Sequence, residues 1–254
     1  MVWSEWLLID NGKAIRSRDC PMVPLERFRR AIIDAVDTGA RLSALPAWPN
    51  GRTGNVNLMA VVSFPAAGKL GLLACEPPRS YPAITPDCPS AHWFERELAE
   101  IWQFRPQGHP WLKPIRFQPP QRTLDRDGPL TSRKIGMTDF FSVSGDECHE
   151  VAVGPVHAGV IEPGHFRFQC HGETVYHLEI SLGYQHRGIE RAMVGGPTPR
   201  SIHFMETLAG DTTVGHATAY ARLIEALSGI SAPPRAEAIR ALSLIHISEP
   251  TRPY

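Results

Sequence analysis

Long apolar runs are missing from this sequence. No stretch approaches the roughly 20 apolar residues that a membrane-spanning helix needs, and the short apolar patch near the N-terminus is interrupted by Glu5 and Asp10. The N-terminus also lacks the basic start and the small-residue cleavage site of a signal peptide. We therefore expect no direct membrane span, so that work at a membrane would require a partner to hold the chain there.

Paired cysteines and an excess of charge are missing as well. The five cysteines are scattered singly, without a C-x-x-C pair, so neither a zinc knuckle nor an iron–sulfur cluster has its usual ligand spacing. Such a dispersed, odd set without a signal peptide favours reduced thiols in the cytoplasm. Because 26 basic residues balance 26 acidic ones, no whole-chain field favours nucleic acid, and we expect no nucleic-acid partner.

The first segment has an α+β pattern. At 254 residues with 43% hydrophobic side chains, the chain can form one or two domains with a real core. Apolar residues at three- and four-residue intervals predict an amphipathic helix in "VPLERFRRAIIDAVDTGARLSAL". "VNLMAVVSF" and "KLGLLACEP" predict two strands around the turn residues "PAAG". "SAHWFERELAEIWQF" predicts a second helix, with Ser90 as its cap and "FRPQGHP" at its end.

The second segment follows a stretch rich in proline, glycine and charge between Pro114 and Asp139, which is typical of a linker or extended arm. Apolar and polar residues alternate on both sides of His171-Gly172-Glu173, and this pattern predicts a β-hairpin. From Ser201 onward the pattern becomes helical and ends at Gly229. The predicted fold class is α+β, with a small N-terminal α+β domain and a hairpin-rich segment that leads into the start of a helical bundle.

The C-terminal residues 242–254, "LSLIHISEPTRPY", follow the preceding sequence without turn chemistry or a periodic pattern. They match the in-frame translation of a transposase adapter used to prepare sequencing libraries, with the last two residues beyond the adapter's core. We interpret them as an artefact and exclude them from fold reasoning. We expect the natural protein to continue past Ala241.

Histidines are concentrated in one window, since seven of the eleven lie between His157 and His216. "GPVHAGVIEPGHFRF" brings His157, Glu162 and His165 into and beside one loop, where they offer donors, acceptors and a proton carrier. "YQHRGIE" adds Arg187 and Glu190 around a glycine. These side chains are candidates for chemistry, or they are surface and salt-bridge residues of hairpins. No H-x-x-x-H or H-E-x-x-H pattern is present, so the spacing predicts no metal site.

Longer motifs in the chain resemble known families. "GPVHAGVIEPGHFRFQCHGETVYHLEISLGYQHRGIERAM", followed by "METLAGDTTVGHATAYARLIEAL", resembles the N-terminal part of the large subunit of group 4 nickel-iron hydrogenases and of the 49-kDa subunit of respiratory complex I. "YPAITPDCPSAHWFERELAEIWQFRPQGHPWLKPIRF" resembles the 30-kDa subunit of complex I. The fused order is that of large subunits in formate hydrogenlyase-type complexes.

The resemblance implies three parts. Residues 1–125 would form a 30-kDa-like α+β domain with a linker to about residue 140, and residues 141–241 would form the N-terminal part of the 49-kDa-like or large-subunit domain, before the artefact at 242–254. It also implies a peripheral subunit on the cytoplasmic side of the cell membrane, in an energy-converting oxidoreductase complex. The implied partners are a small iron–sulfur subunit, which carries the clusters, and ion-pump-like membrane subunits.

The resemblance makes the stretch "LAGDTTVGH" informative. In the hydrogenases a nickel-ligating C-G-x-C pair stands directly before the helix, and the alignment puts Ala209 and Thr212 at its cysteines. A methyl group cannot ligate nickel, and a neutral hydroxyl is a poor substitute for a soft thiolate. The expectation is that this fragment binds no cofactor itself, and that the complex has no nickel-iron site of the usual kind.

Quinone is the alternative cofactor that the resemblance implies. In complex I the corresponding stretch carries the tyrosine that hydrogen-bonds the quinone headgroup, and Gly210 takes that position here. The partner histidine has His165 as its nearest counterpart, although the inserted "IEPG" follows the hydrogenase pattern. Asp211 and Thr212 are candidates for binding a polar ligand in the cavity, together with His157, or else they cap the following helix.

Three functions are compatible with these residues. The chain belongs to a redox complex whose metal site has been replaced, or it is a catalytically silent structural subunit of such a complex, or it is a true hydrogenase subunit with a different ligand set. Under the first, Glu162 and His165 would transfer protons near the old active-site cavity, since a carboxylate in a desolvated cavity can titrate near neutral pH. Arg187 and Glu190 would fix the hairpin and the partner interface.

Overall fold

The structure, a computed structural model, describes residues 4–51, 53–121 and 139–245. Within these ranges the chain forms two compact units: residues 4–9 with 17–185, and residues 10–16 with 186–245. Helices and antiparallel strands are mixed along the chain, which confirms the predicted α+β class. The predicted domain boundary between 125 and 140 falls largely on residues 122–138, outside the described residues, and stays a prediction.

An antiparallel five-stranded sheet forms the core of the first unit. Its strands are β1 (Leu7–Ile9), β2 (Arg41–Ala44), β3 (Ala47–Pro49), β4 (Val56–Phe64) and β5 (Lys69–Cys75). The order is β1-β5-β4-β2, and β3 also pairs with β4, at the end opposite to β2. Helix α1 (Leu25–Asp37) buries Phe28, Ile32 and Ala35 in the same apolar core as β4 and β5, because these residues recur at helical spacing.

The predicted helix–hairpin–helix pattern is confirmed for α1, β4 and β5, but two of its details are wrong. The first helix ends at Asp37 rather than near Leu45, because Gly39 adopts a left-handed φ of 91° and the chain then re-enters the sheet as β2. Ser90 does not cap the second helix. That helix begins at His92 after a short 3₁₀ turn, and the Ser90 hydroxyl contacts the Cys88 thiol.

The second helix, α2 (His92–Trp102), is followed by β7 (Arg105–Gln107), which pairs in parallel with β6 (Ser80–Pro82). The helix ends at Gln103, which has a left-handed φ of 57° and whose side-chain amide donates to the carbonyls of Ala99 and Glu100. The chain after β7 returns along α2. The first residues of the predicted linker are therefore fixed, while 122–138 lie outside the described residues.

A second antiparallel sheet is built from β8 (Cys148–Val153), β9 (His165–His171) and β10 (Thr174–Ser181), with β9 in the centre. The turn between β9 and β10 contains Gly172, so the predicted hairpin is confirmed. Residues of β9 alternate between two faces. Phe166 and Phe168 share one face with apolar residues of β8 and β10, whereas His165, Arg167 and Gln169 share the other with polar residues.

The second unit is helical. Its helices are α3 (Ile189–Ala192), α4 (Ser201–Glu206), α5 (Thr213–Ser228) and α6 (Pro234–Ser243). The helical pattern predicted from Ser201 onward is interrupted by residues 207–212, and α5 ends at Gly229 as predicted. Ion pairs join α5 to α6, with Arg240 2.5 Å from Glu225 and Arg222 2.6 Å from Glu237. Among the described residues, no helix is both long and apolar enough to cross a bilayer.

Candidate functional site

The loop between β8 and β9 carries Glu162, and its two ends are fastened together. Gly164 N–H donates to the carbonyl of Pro155 at 3.0 Å, and the His157 ring donates through Nε2 to the Gly164 carbonyl at 2.8 Å. A Cβ on Gly154 would lie 2.1 Å from the Gly164 oxygen, and Gly154 has a φ of 86°. Only glycine therefore fits at the entrance to this loop.

The three candidate residues of this loop differ in their surroundings. Glu162 is exposed to solvent, whereas His157 and His165 are half-buried. His157 donates its hydrogen bond to the carbonyl of Gly164 in its own loop, and its ring packs edge-on against Phe166. Among the described residues, no part of the chain covers the Glu162 side chain, so its carboxylate faces solvent rather than a desolvated cavity. A partner surface over the loop would have to supply that setting.

His165 lies at the start of β9 beside Arg167, whose guanidinium is held by several contacts. The Arg167 Nε–H donates to His165 Nε2 at 3.4 Å, and the His165 ring packs edge-on against Phe140 with 5.8 Å between ring centroids. Arg167 stacks on the Phe140 ring at 4.0 Å and forms an ion pair with Glu150. Hydrogen bonds from Arg167 and then Gln169 lower the pKa of Glu150, so this carboxylate stays ionised well below neutral pH.

The same sheet face carries a buried carboxylate that the sequence does not reveal as a candidate. Glu179 is opposite Arg167 in the β9–β10 register and is only 4% exposed. Both of its oxygens accept from Lys113 Nζ, at 3.1 and 3.0 Å, and one also accepts from Phe141 N–H at 2.9 Å. The alternation of β10 alone would place Glu179 on a solvent-facing side of the strand. The sequence does not show that a distant segment covers that face.

The remaining candidates lie in the second unit. Arg187 donates to the Thr207 carbonyl and so holds the chain just before "LAGDTTVGH", while Glu190 lies in the short helix α3. Asp211 and Thr212 are exposed in the 3₁₀ turn Gly210–Thr212, which leads into α5. Thr212 occupies the N-cap position of α5 without a side-chain cap hydrogen bond, so side-chain capping does not explain these residues.

The chain is similar to several known proteins, although no protein-family model matches it. Formate hydrogenlyase subunit 5 of Escherichia coli is 32% identical over 180 residues, which are 65% of this chain and 31% of that protein. The fused C/D subunit of NADH-quinone oxidoreductase of Gluconacetobacter diazotrophicus is 25% identical over 194 residues, 67% of this chain and 32% of that protein. Membrane-bound hydrogenase subunit alpha of Pyrococcus furiosus is 30% identical over 93 residues, 37% of this chain and 22% of that protein.

The chain is thus similar, over both of its segments, to hydrogenase and NADH-quinone oxidoreductase subunits. The resemblance to fused 30-kDa-like and 49-kDa-like subunits is thereby confirmed. The chain spans about a third of the length of the curated relatives that it matches over both segments.

The nickel-iron group of hydrogenases does not fit the residues at the positions that the resemblance assigns to two of its ligands. Ala209, which is half-buried and extended, offers a methyl group, and Thr212 offers an exposed neutral hydroxyl. Neither side chain is a thiolate, which is the ligand that such a site requires. Across residues 4–51, 53–121 and 139–245, no three His, Cys, Asp or Glu side chains are grouped so that they could hold a metal ion.

The complex I quinone site is matched only in part. A Cβ on Gly210 would meet no described atom within 4 Å, so the position normally taken by tyrosine is open rather than filled by another side chain. In the first unit, His165 supplies an imidazole whose Nε2 accepts from Arg167 Nε–H. The first unit thus contains the histidine that the resemblance implies, and the second unit has a glycine where the resemblance implies the tyrosine.

Proposed function

We propose that the chain is part of a peripheral subunit of a membrane-bound, energy-converting oxidoreductase complex that couples electron transfer to ion translocation without an intact nickel-iron site. The carrying observation is the similarity across both fused segments, combined with Ala209 and Thr212 at the aligned ligand positions. A relative named a membrane-bound hydrogenase subunit supports the membrane-bound setting. The subunit would lie on the cytoplasmic side of the cell membrane.

Partner subunits would complete this function. The proposal assigns the electron-carrying iron–sulfur clusters to a small partner subunit and the ion path to pump-like membrane subunits. Quinone is the electron acceptor that this proposal favours over protons, since the loop supplies His165 while the thiolate pair is replaced. The chain's own contribution is then to shape the cavity wall and to move protons.

Glu162 and His165 are the residues that would move protons. Glu162 lies in a loop whose two ends are fastened through His157 and Gly164, so its backbone position is restricted although its side chain is exposed. His165 follows three residues later and is held by Arg167. A carboxyl and an imidazole so close in the chain can pass a proton between them, once a partner surface excludes bulk water.

Replacement of Glu162 tests this role. In the purified full-length complex, Glu162→Gln should lower turnover at least about tenfold, because the amide cannot carry a proton, while size-exclusion chromatography shows an unchanged assembly. Glu173→Gln is the matched control, since Glu173 is an exposed carboxylate in the β9–β10 turn, and it should leave turnover unchanged. If Glu162→Gln turns over as fast as the unmodified complex, Glu162 is not part of the relay.

A structural subunit without catalytic function is the second candidate. The observation in its favour is the replacement of the thiolate pair and of the quinone tyrosine in one short stretch, Ala209–Thr212. This candidate predicts that neither Glu162→Gln nor His165→Gln changes turnover of the assembled complex. The same set of variants therefore separates the two functions.

A further inference from the structure

Lys113 connects two parts of the first unit that are far apart in sequence. Its Nζ contacts both carboxylate oxygens of Glu179 in β10 and also donates to the Asp139 carbonyl. The Lys113 side chain is only 20% exposed, and that of Glu179 only 4%. Screening by water is therefore weak at this ion pair, unlike at a surface pair.

Glu179 is satisfied from several sides. Beyond Lys113, it accepts a hydrogen bond from Phe141 N–H at 2.9 Å, and His177 Nε2 lies 3.5 Å from the same oxygen. A carboxylate this deeply buried is tolerated only when it is paired and hydrogen-bonded. Loss of Lys113 would leave most of its negative charge uncompensated.

The segment that carries Lys113 is itself fixed to α2. Arg96 Nε donates to the Lys113 carbonyl at 2.8 Å, and Arg96 Nη2 donates to the Pro114 carbonyl at 3.0 Å. Further along, the buried Glu100 carboxylate accepts the backbone N–H groups of Ile115 and Arg116 at 2.8 and 3.0 Å. Lys113 therefore projects from a rigid base rather than from a free loop.

A ladder of alternating cations and aromatic rings extends from α2 to the hairpin. Arg96 stacks on Trp93 at 4.5 Å and on Trp111 at 5.0 Å, measured to the ring centroids. Lys113 lies over Trp111 at 5.1 Å and over Phe140 at 5.5 Å. Each contact is of the cation–π type, and desolvation strengthens such contacts.

The ladder ends beside the candidate proton carrier. Arg167 also lies over the Phe140 ring, at 4.0 Å, and donates to His165. Glu179 and Arg167 are direct cross-strand neighbours on one face of the sheet, and His165 lies two residues further along that face. The position of this face relative to α2 thus depends on Lys113 and Glu179.

We propose that Lys113 and Glu179 are positioning residues that hold the β9–β10 hairpin in place against the α2 side of the unit. They thereby also position Arg167 and His165, which belong to that hairpin. The placement of the hairpin stands on these contacts alone. The consequence for proton transfer by His165 rests on the proposed function.

Hydrogen exchange of the full chain tests the placement. Lys113→Met and Glu179→Gln should each raise amide exchange in β9 and β10 at least about tenfold, because each leaves a buried partner unpaired. The double variant should exchange no faster than the more affected single variant, since the two residues act as one unit. Lys113→Arg should keep most of the protection. Exchange in β4 and β5 should stay unchanged in all four variants.

The exposed pair Arg222 and Glu237, which joins α5 to α6, supplies the control. Arg222→Met and Glu237→Gln should leave exchange in β9 and β10 unchanged. Unaltered hairpin exchange in the Lys113 and Glu179 variants would overturn the proposal, as would single effects that multiply in the double variant. An equal rise of amide exchange in β4 and β5 would also overturn it, because that result indicates a role in overall stability rather than in placing the hairpin.

The catalytic consequence needs a separate measurement in the full-length complex. Lys113→Met should lower turnover while Lys113→Arg recovers most of it, because the arginine keeps the charge and the ring contacts. If Glu162→Gln leaves turnover unchanged while the exchange results hold, the proposed proton relay fails and the positioning role of Lys113 and Glu179 stands.

Discussion

Charged residues in α2 are buried because they satisfy backbone groups of neighbouring loops. Glu95 has no exposed surface and accepts the N–H groups of Ile84 and Thr85, at 2.8 and 2.9 Å, as well as the Thr85 hydroxyl. Glu100 likewise accepts a backbone N–H group, that of Ile115, from the segment after β7. The helix thereby supplies acceptors for backbone N–H groups of two neighbouring loops, in accordance with the rule that buried N–H groups are paired.

Glu95→Ala should destabilise the first unit by about 3 kcal/mol, because it leaves two buried N–H groups and a hydroxyl without their acceptor. Urea unfolding of the chain, followed by circular dichroism, measures this loss. Glu26→Gln is the matched control in α1, since the Glu26 side chain is 75% exposed. A change for Glu95→Ala no larger than that for Glu26→Gln would contradict the assigned role of this carboxylate.

At the scale of the single residue, sequence reasoning identifies loop residues better than their contacts. His157 and His165 can be found because histidines cluster in a recognisable motif, and the structure places both at the base of the same loop. Lys113 and Glu179 are missed because their partnership spans 66 residues. Hydrophobic periodicity reports which face of an element is buried, but it does not report which distant polar group covers a face.

At the scale of the element, the segment after β7 is organised around His109. Its Nε2 donates to the His92 carbonyl, and its Nδ1 accepts from Trp111 N–H at 3.0 Å, so both nitrogens of the neutral ring are used. Burial, and then the nearby Arg96 charge, lower the pKa of His109 against the opposing hydrogen bond to His92. Burial followed by the neighbouring His109 and Arg96 lowers the pKa of His92.

These lowered pKa values give a pH dependence with a definite sign. The folded state favours the neutral rings, so their stabilising contribution is complete above the ordinary pKa of 6.5 and declines as the pH falls through 6.5 toward the lowered value. His109→Gln should therefore reduce the difference in unfolding free energy between about pH 7.5 and about pH 5.5. Urea unfolding at both pH values measures it. His149→Gln, at an exposed position, should leave the difference unchanged, and an equal effect of both substitutions would contradict this account.

The regular elements are predictable where local pattern and tertiary packing agree. The β4–β5 hairpin follows from its alternation and its turn residues, and α1 follows from its apolar stripe. The predicted helical stretch includes the residues of strand β2, because apolar residues at helical spacing do not by themselves show where the helix ends. Only the pairing of β2 with β4 makes these residues a strand, and such non-local pairing overrides local propensity.

At the scale of the whole molecule, the similarity to hydrogenase subunits and the residues at the expected ligand positions favour different functions. Similarity to formate hydrogenlyase subunit 5 and to the fused C/D subunit of NADH-quinone oxidoreductase covers about two thirds of the chain. The chain carries Ala209 and Thr212 where the resemblance to hydrogenases places nickel ligands. The resemblance can be predicted from long motifs, whereas the proposed loss of the nickel-iron site rests on two positions that a family resemblance does not determine.

The nickel content of the purified full-length complex tests the central claim most directly. Elemental analysis by mass spectrometry reports nickel and iron in the same sample, and iron from the clusters of the partner subunit serves as the internal control for an intact complex. The account predicts iron without stoichiometric nickel, because a methyl group and a neutral hydroxyl replace two thiolate ligands. Stoichiometric nickel in an intact complex would contradict it.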